Sequence, residues 1–121
     1  MDRAQPSRVA LVLGLAIVLA SLVFFLFRPA LRYDFVMLDD GAYLIQNPAV
    51  RAGLTAESIR WAFTTVHEHW WLPALWLSFM TDIELHGFSP AGFHSTNVLL
   101  HALNTALLFW ALVRFTGSIW K

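Results

Sequence analysis

Two adjacent carboxylates, Asp39 and Asp40, stand a short way beyond an uncharged apolar run, Val9 to Phe27. A helix over that run, at about 1.5 Å per residue, nearly covers the ~30 Å hydrocarbon core of a bilayer. Acids so close to a membrane exit lie at or near the interface, where ionisable groups are kept for chemistry or ion binding. A carboxylate at an interface, when partly desolvated, can have its pKa raised toward a value useful to a general base. Neighbouring side chains cannot share one face of a regular element, so one of the two is expected to point inward, with Gly41 easing the backbone. Two other readings remain open. The pair could bind a cation, although it supplies too few oxygen ligands alone, or it could be a solvated Asp-Gly turn.

A second group with chemical potential is the series His94, Asn97, His101 and Asn104, spaced by three, four and three residues. On a helix these share one face, while Val98, Leu99, Leu100, Leu103, Leu107 and Leu108 cover much of the rest. Imidazoles and amides within a span face a bundle interior or a watery cavity. There they could hydrogen-bond a phosphate or a sugar hydroxyl, or simply bond to a neighbouring helix at about 0.6 kcal/mol each. His67-Glu68-His69 resembles a metal motif but lacks the His-Glu-x-x-His spacing that places two imidazoles on one face, so no metal site is assigned.

Composition sets the class of protein that must position these groups. Of 121 residues, 58% are hydrophobic and only 13% charged, against about 45–50% and about 25% in soluble domains. This points to a membrane protein. Zero formal net charge leaves no electrostatic case for nucleic acid, and the absence of cysteine excludes disulfides and thiolate metal sites. Arg3 and Arg8 precede the first run as in a signal peptide. The run is too long for one, however, and ends in Phe24-Phe25-Leu26-Phe27-Arg28-Pro29 without a small-residue cleavage site, so an uncleaved anchor is expected.

The predicted organisation is a cytoplasmic N-terminus over 1–8, a first span over 9–27, an external loop over 28–89, a second span over 90–115 and a cytoplasmic end over 116–121. Ser89-Pro90 provides an N-cap and first-turn proline for the second span. The positive-inside rule puts Arg3, Arg8, Arg114 and Lys121 in the cytoplasm, against Arg28 and Arg32 on the other side. Within the loop, Asn47-Pro48 marks a turn and Thr55 caps a helix whose Ile59, Ala62 and Phe63 share a face. Pro73 opens another helix with Trp76, Phe79, Met80 and Ile83 at helical spacing, ended by Gly87. These short helices, with Trp61, Trp70, Trp71 and Trp76, could lie along the membrane surface or could form a small core.

Together the segments resemble one family more specifically than any does alone. The resemblance runs through Tyr33-Asp34-Phe35-Val36, Asp39-Asp40, Tyr43-Leu44, Asn47-Pro48 and Gly53-Leu54-Thr55. It continues through Arg60-Trp61-Ala62-Phe63-Thr64-Thr65, Pro73, Trp76-Leu77-Ser78, Met80, Asp82, Leu85 and Gly87. Pro90-Ala91-Gly92, His94, Thr96-Asn97 and Leu99-Leu100-His101-Ala102-Leu103-Asn104-Thr105 complete it, up to Thr116-Gly117. The family is the transmembrane and tetratricopeptide-repeat proteins, whose eukaryotic members are O-mannosyltransferases. The chain departs from the family pattern at Met37-Leu38, Trp70-Trp71-Leu72-Pro73 and Phe79.

This resemblance implies an all-α membrane fold, the N-terminal part of a C-type glycosyltransferase, with an acidic motif in its first external loop. It implies transfer of a sugar from a polyprenyl-phosphate carrier to an acceptor hydroxyl, with inversion, Asp39 or Asp40 acting as general base. Tyr43, His94, Asn97 and His101 are the candidate substrate-binding residues. No cofactor is assigned beyond the lipid-linked donor, and a divalent metal has no support in the residues. The expected partners are the bilayer, the lipid-linked sugar, a protein or glycan acceptor, and the remainder of a larger enzyme with a downstream repeat domain. The chain is expected to be a truncated or split portion of that enzyme, inactive alone, in a bacterial inner membrane or, in a eukaryote, the endoplasmic reticulum. The loop would face the periplasm or lumen. From a different class, the chain reads as a non-catalytic membrane hairpin that scaffolds partners. An ion-pathway subunit is a third reading, without the charge deep in a span that such routes carry.

Overall fold

The computed structural model describes residues 5–119, with side chains described from Arg8 onward. Arg3 and Lys121, which entered the topology expectation, lie outside them. Among the described residues the elements are α1 (Gln5–Phe27), a 3₁₀ turn (Arg28–Arg32), a π turn (Gly41–Ile45), α2 (Pro48–Arg51), α3 (Ala56–Thr64), α4 (Pro73–His86) and α5 (Pro90–Thr116). No strand is present among them. The chain is thus an all-α membrane protein with two helices, α1 and α5, long and apolar enough to cross a bilayer. It divides into two compact units, 1–29 with 97–121, and 30–96.

In the first unit α1 pairs with the C-terminal part of α5. Phe27 meets His101 edge-on at 5.0 Å, and the Arg8 guanidinium donates to the Gly117 carbonyl at 2.6 Å, so the helices run antiparallel. A cation at the C-terminal end of α5 also complements the helix dipole. Val12, Val98, Ala102 and Val113 are buried, while Ile17, Leu22, Phe25, Leu26, Leu108 and Phe115 stay exposed. So much bare aliphatic surface suits hydrocarbon as the surroundings, because both backbones satisfy their own hydrogen bonds.

The second unit is a small globular core, with α2, α3 and α4 packed on one another. Leu44, Val50, Ala62, Trp76, Met80 and Phe93 are buried together, and Phe35, Tyr43, Trp61, Leu72, Leu77, Phe79 and Ile83 pack around them. The α4 periodicity explains this directly: Trp76 and Met80 are four residues apart and have no exposure. Pro73 stands at the first turn of α4 and Gly87 ends it with positive φ. For Trp61 and Trp76 the core reading is therefore the observed one, whereas Trp70 and Trp71 are exposed.

Two local structures differ from their expected form. Asn47-Pro48 does not merely turn the chain. Asn47 Oδ1 accepts from the Ala49 and Val50 N–H groups, capping the short helix α2 with Pro48 in its first turn. Thr55 caps α3 in a reciprocal box with Ser58, and this draws Ser58 inward. The buried face of α3 is accordingly Ser58 and Ala62, while Ile59 and Phe63 are exposed.

Gly92 shows how closely α4 and α5 approach within this unit. A Cβ there would lie 2.4 Å from His86 Cβ, so only glycine fits without movement. Asp82, buried among the apolar positions of α4, accepts a hydrogen bond from Thr96 Oγ1 at 2.5 Å on the first turns of α5.

Candidate active site

Asp39 and Asp40 belong to the helical turn that leads into the π turn Gly41–Ile45. Single π turns are rare and occur often at functional sites. Asp39 is exposed, and Asp40 is half-buried with its Oδ2 accepting the Val36 N–H at 2.9 Å. One carboxylate of the pair is thus oriented by the backbone and the other is free in solvent. Gly41 is buried within the turn, and a Cβ there would meet Met37 Cε at an ordinary 3.6 Å. No unusual backbone freedom is used at this glycine. Just ahead of the acids, Val36, Met37 and Leu38 are exposed, forming an apolar lip beside the carboxylates.

The π turn is held from the other side by His67. Its Nε2 lies 3.1 Å from the Ala42 carbonyl, which can only accept, so Nε2 carries the proton and Nδ1 is the acceptor of the neutral ring. The imidazole sits edge-on to Trp76 at 5.4 Å, Trp61 at 5.6 Å and Tyr43 at 6.1 Å. Tyr43 in turn packs on Trp76 at 5.1 Å. An aromatic box therefore fixes both Tyr43 and His67, and through Ala42 it fixes the turn that follows the acids.

His67 begins a tight hairpin. His67 and Trp70 exchange backbone hydrogen bonds of 3.0 and 2.9 Å, with Glu68 (φ 49°) and His69 (φ 70°) at the tip. Positive φ at both central residues defines a type I′ turn, which ordinarily takes Asn or Gly. Trp71 Nε1 donates to the Phe63 carbonyl at 3.0 Å and ties the hairpin's far side to α3. The sequence showed His67 only as a metal candidate of poor spacing. Its role as a brace came from non-local contacts that spacing does not encode. Among the described residues no group of three or more His, Asp or Glu side chains is placed to hold a metal.

The remaining candidates are dispersed. His94 is half-buried, with its Nε2 buried and lacking a hydrogen-bond partner among the described residues. Asn97 and His101 belong to the helical-hairpin unit and are exposed, as is Asn104, with His101 resting on Phe27. Tyr43, by contrast, shares the π turn with the acid pair. Asp82 was missed as a titratable group of interest. Burial pushes its carboxyl above the ordinary range, while the Thr96 hydroxyl and nearby His86 pull it back down.

No family model and no solved structure matches the chain significantly. Two curated proteins do. The chain is 34% identical over 109 aligned residues to protein O-mannosyl-transferase TMTC1 of Mus musculus, covering 80% of this chain and 11% of that protein. It is 30% identical over 109 residues to protein O-mannosyl-transferase TMTC1 of Homo sapiens, covering 80% of this chain and 12% of that protein. The chain thus spans about a tenth of the length of these relatives. A stretch covering that share of 121 residues necessarily takes in the middle of the chain, the acid pair included. Over its globular unit, then, this membrane protein is similar in sequence to a short part of protein O-mannosyl-transferases.

Proposed function

We propose that the chain supplies the acid-bearing external unit of a membrane glycosyltransferase that moves a sugar from a polyprenyl-phosphate carrier to an acceptor hydroxyl. Mannose as the sugar and a protein hydroxyl as the acceptor follow from the relatives' name, protein O-mannosyl-transferase. The observation that carries this reading is the similarity across the segment holding Asp39 and Asp40. The oriented carboxylate at the head of a braced π turn supports it.

Asp40 takes the role of base. Its Oδ2 is held by the Val36 N–H, and Oδ1 has no partner among the described residues, so a fixed oxygen is presented for a proton. The acceptor oxygen attacks the anomeric carbon as its proton passes to Asp40. The bond from that carbon to the phosphate oxygen breaks on the opposite side, and the phosphate leaves with the electron pair. Inversion follows. Asp39, free in solvent, adds negative charge beside the reacting hydroxyl. The unit spanning 30–96 would face the periplasm or lumen, with Arg8 and Arg114 cytoplasmic. Both matched relatives are mammalian, which lends no weight to a bacterial membrane over the endoplasmic reticulum.

The test is sugar transfer in membranes by the intact enzyme carrying this segment, comparing Asp39→Asn and Asp40→Asn at equal expression. Loss of a positioned base lowers the rate by about 10²- to 10⁴-fold. That loss is expected for Asp40→Asn, with a smaller effect for Asp39→Asn. Undiminished transfer in both would remove the proposed chemistry.

A non-catalytic hairpin that binds partners has one observation in its favour: Asn97 and Asn104 are bare on a span-length helix. Amides so placed seek protein partners in a bilayer. Replacing both by leucine and crosslinking in membranes checks this, since retained partner crosslinks would leave the stripe without that role.

A further inference from the structure

A cleft of about 390 Å³ lies in the globular unit, lined by Asn47, Thr55, Glu57, Ser58, Trp61 and His67 beside α2, with neither Asp39 nor Asp40 in its wall. Ligand pockets run from about 300 to 1,000 Å³, so it is sized for a small molecule or one residue of a polymer. Its walls have a distinctive chemistry. Trp61 is half-buried and held edge-on by Trp76 at 5.5 Å and His67 at 5.6 Å, a rigid aromatic surface. Thr55 and Ser58 are spent on the α3 capping box. Three polar functions are not spent. Glu57 is exposed and makes no hydrogen bond or ion pair among the described residues. His67 uses Nε2 on Ala42, leaving Nδ1 as an acceptor.

The third is Asn47, 1% exposed. Its Oδ1 is occupied twice by α2, which fixes the orientation of the amide, and Nδ2 is buried with no acceptor among the described residues. Native structures rarely leave a buried donor unpaired without reason. A ligand oxygen would supply the missing partner once the cleft yields slightly around it.

From this arrangement we infer that the cleft binds a neutral hexose unit. A pyranose has one face of C–H groups, which packs on an indole, and a rim of hydroxyls that both donate and accept. Glu57 and His67 Nδ1 accept from such a rim, and Asn47 Nδ2 donates to it. No Lys or Arg lines the cleft. A phosphate therefore finds no cation here and meets the Glu57 carboxylate instead. The occupant is a glycan residue, and the phosphate-bearing end of a sugar donor is excluded.

The 121-residue chain in lipid nanodiscs is the sample, since sugar-headed detergents would compete. Saturation-transfer NMR with methyl α-hexopyranosides of gluco, manno and galacto configuration reads binding, with mannose 1-phosphate as the charged comparator. Saturable binding of at least one hexoside is expected, with the phosphate weaker. Glu57→Ala lies on the surface, and Asn47→Ser keeps a capping oxygen while deleting the amide. Each should weaken binding about threefold to tenfold at an unchanged melting temperature. No saturable binding, equal binding by both folded variants, or tighter binding of the phosphate would each overturn the inference. It does not depend on the catalytic proposal. Sugar transfer lost in Asp40→Asn concerns the base, and hexoside binding lost in Asn47→Ser concerns the cleft.

Discussion

Asp82 has left water almost completely and keeps one strong partner, the Thr96 hydroxyl. Because its folded pKa lies above the ordinary 3.8, the folded state holds the proton more tightly than the unfolded state. The stabilising contribution is therefore full below pH 3.8 and is lost as pH rises through the raised value. Asp82→Asn keeps an acceptor for Thr96 and removes the charge. Its melting temperature should gain on the parent's as pH rises from about 4 to 7, and a constant difference would refute the linkage. The sequence did not mark this residue. Asp82 stands six residues after Trp76 and two after Met80, more than about 100° around the helix from either, so helical spacing gave no sign that it turns inward. Thr96 comes from another element, which no local spacing could name. His67 teaches the same lesson, since its ties to Ala42, Tyr43 and Trp61 join residues from separate turns.

At the level of elements, the hairpin after α3 carries a conformational cost. Left-handed backbone costs an L-residue with a side chain about 1–2 kcal/mol, and Glu68 and His69 both adopt it. The double substitution Glu68→Asn, His69→Gly suits a type I′ turn and should raise unfolding stability by about 1 kcal/mol, read by chemical denaturation. A loss of stability would mean that those side chains make a compensating contact. Gly92→Ala should act in the opposite sense. Its Cβ would collide with the stem of His86, an overpacking worth about 1–3 kcal/mol. A neutral result in the same assay would show that α4 and α5 part easily. Helix starts and stops at Pro73, Gly87 and Pro90 were legible because proline and glycine act locally. The orientation of α3 was not. The Thr55–Ser58 box fixes which side turns inward, and it favours a serine over Ile59. Hydrophobic spacing alone ranks those two the other way.

For the molecule as a whole, the division into two units predicts two separable responses to damage. Trp76 has no exposure and anchors the aromatic box, so Trp76→Ala should cost about 3–5 kcal/mol. Near-ultraviolet circular dichroism should lose its aromatic signal while much of the helical signal persists, because α1 and most of α5 lie in the other unit. Simultaneous loss of both signals would mean that the units unfold together. The contact of Arg8 with Gly117 has a plainer consequence for how the polypeptide crosses the lipid. A path that goes out along α1 and back along α5 makes an even number of crossings. Fluorescent or enzymatic tags fused at the two termini must then report the same compartment, whichever one it is.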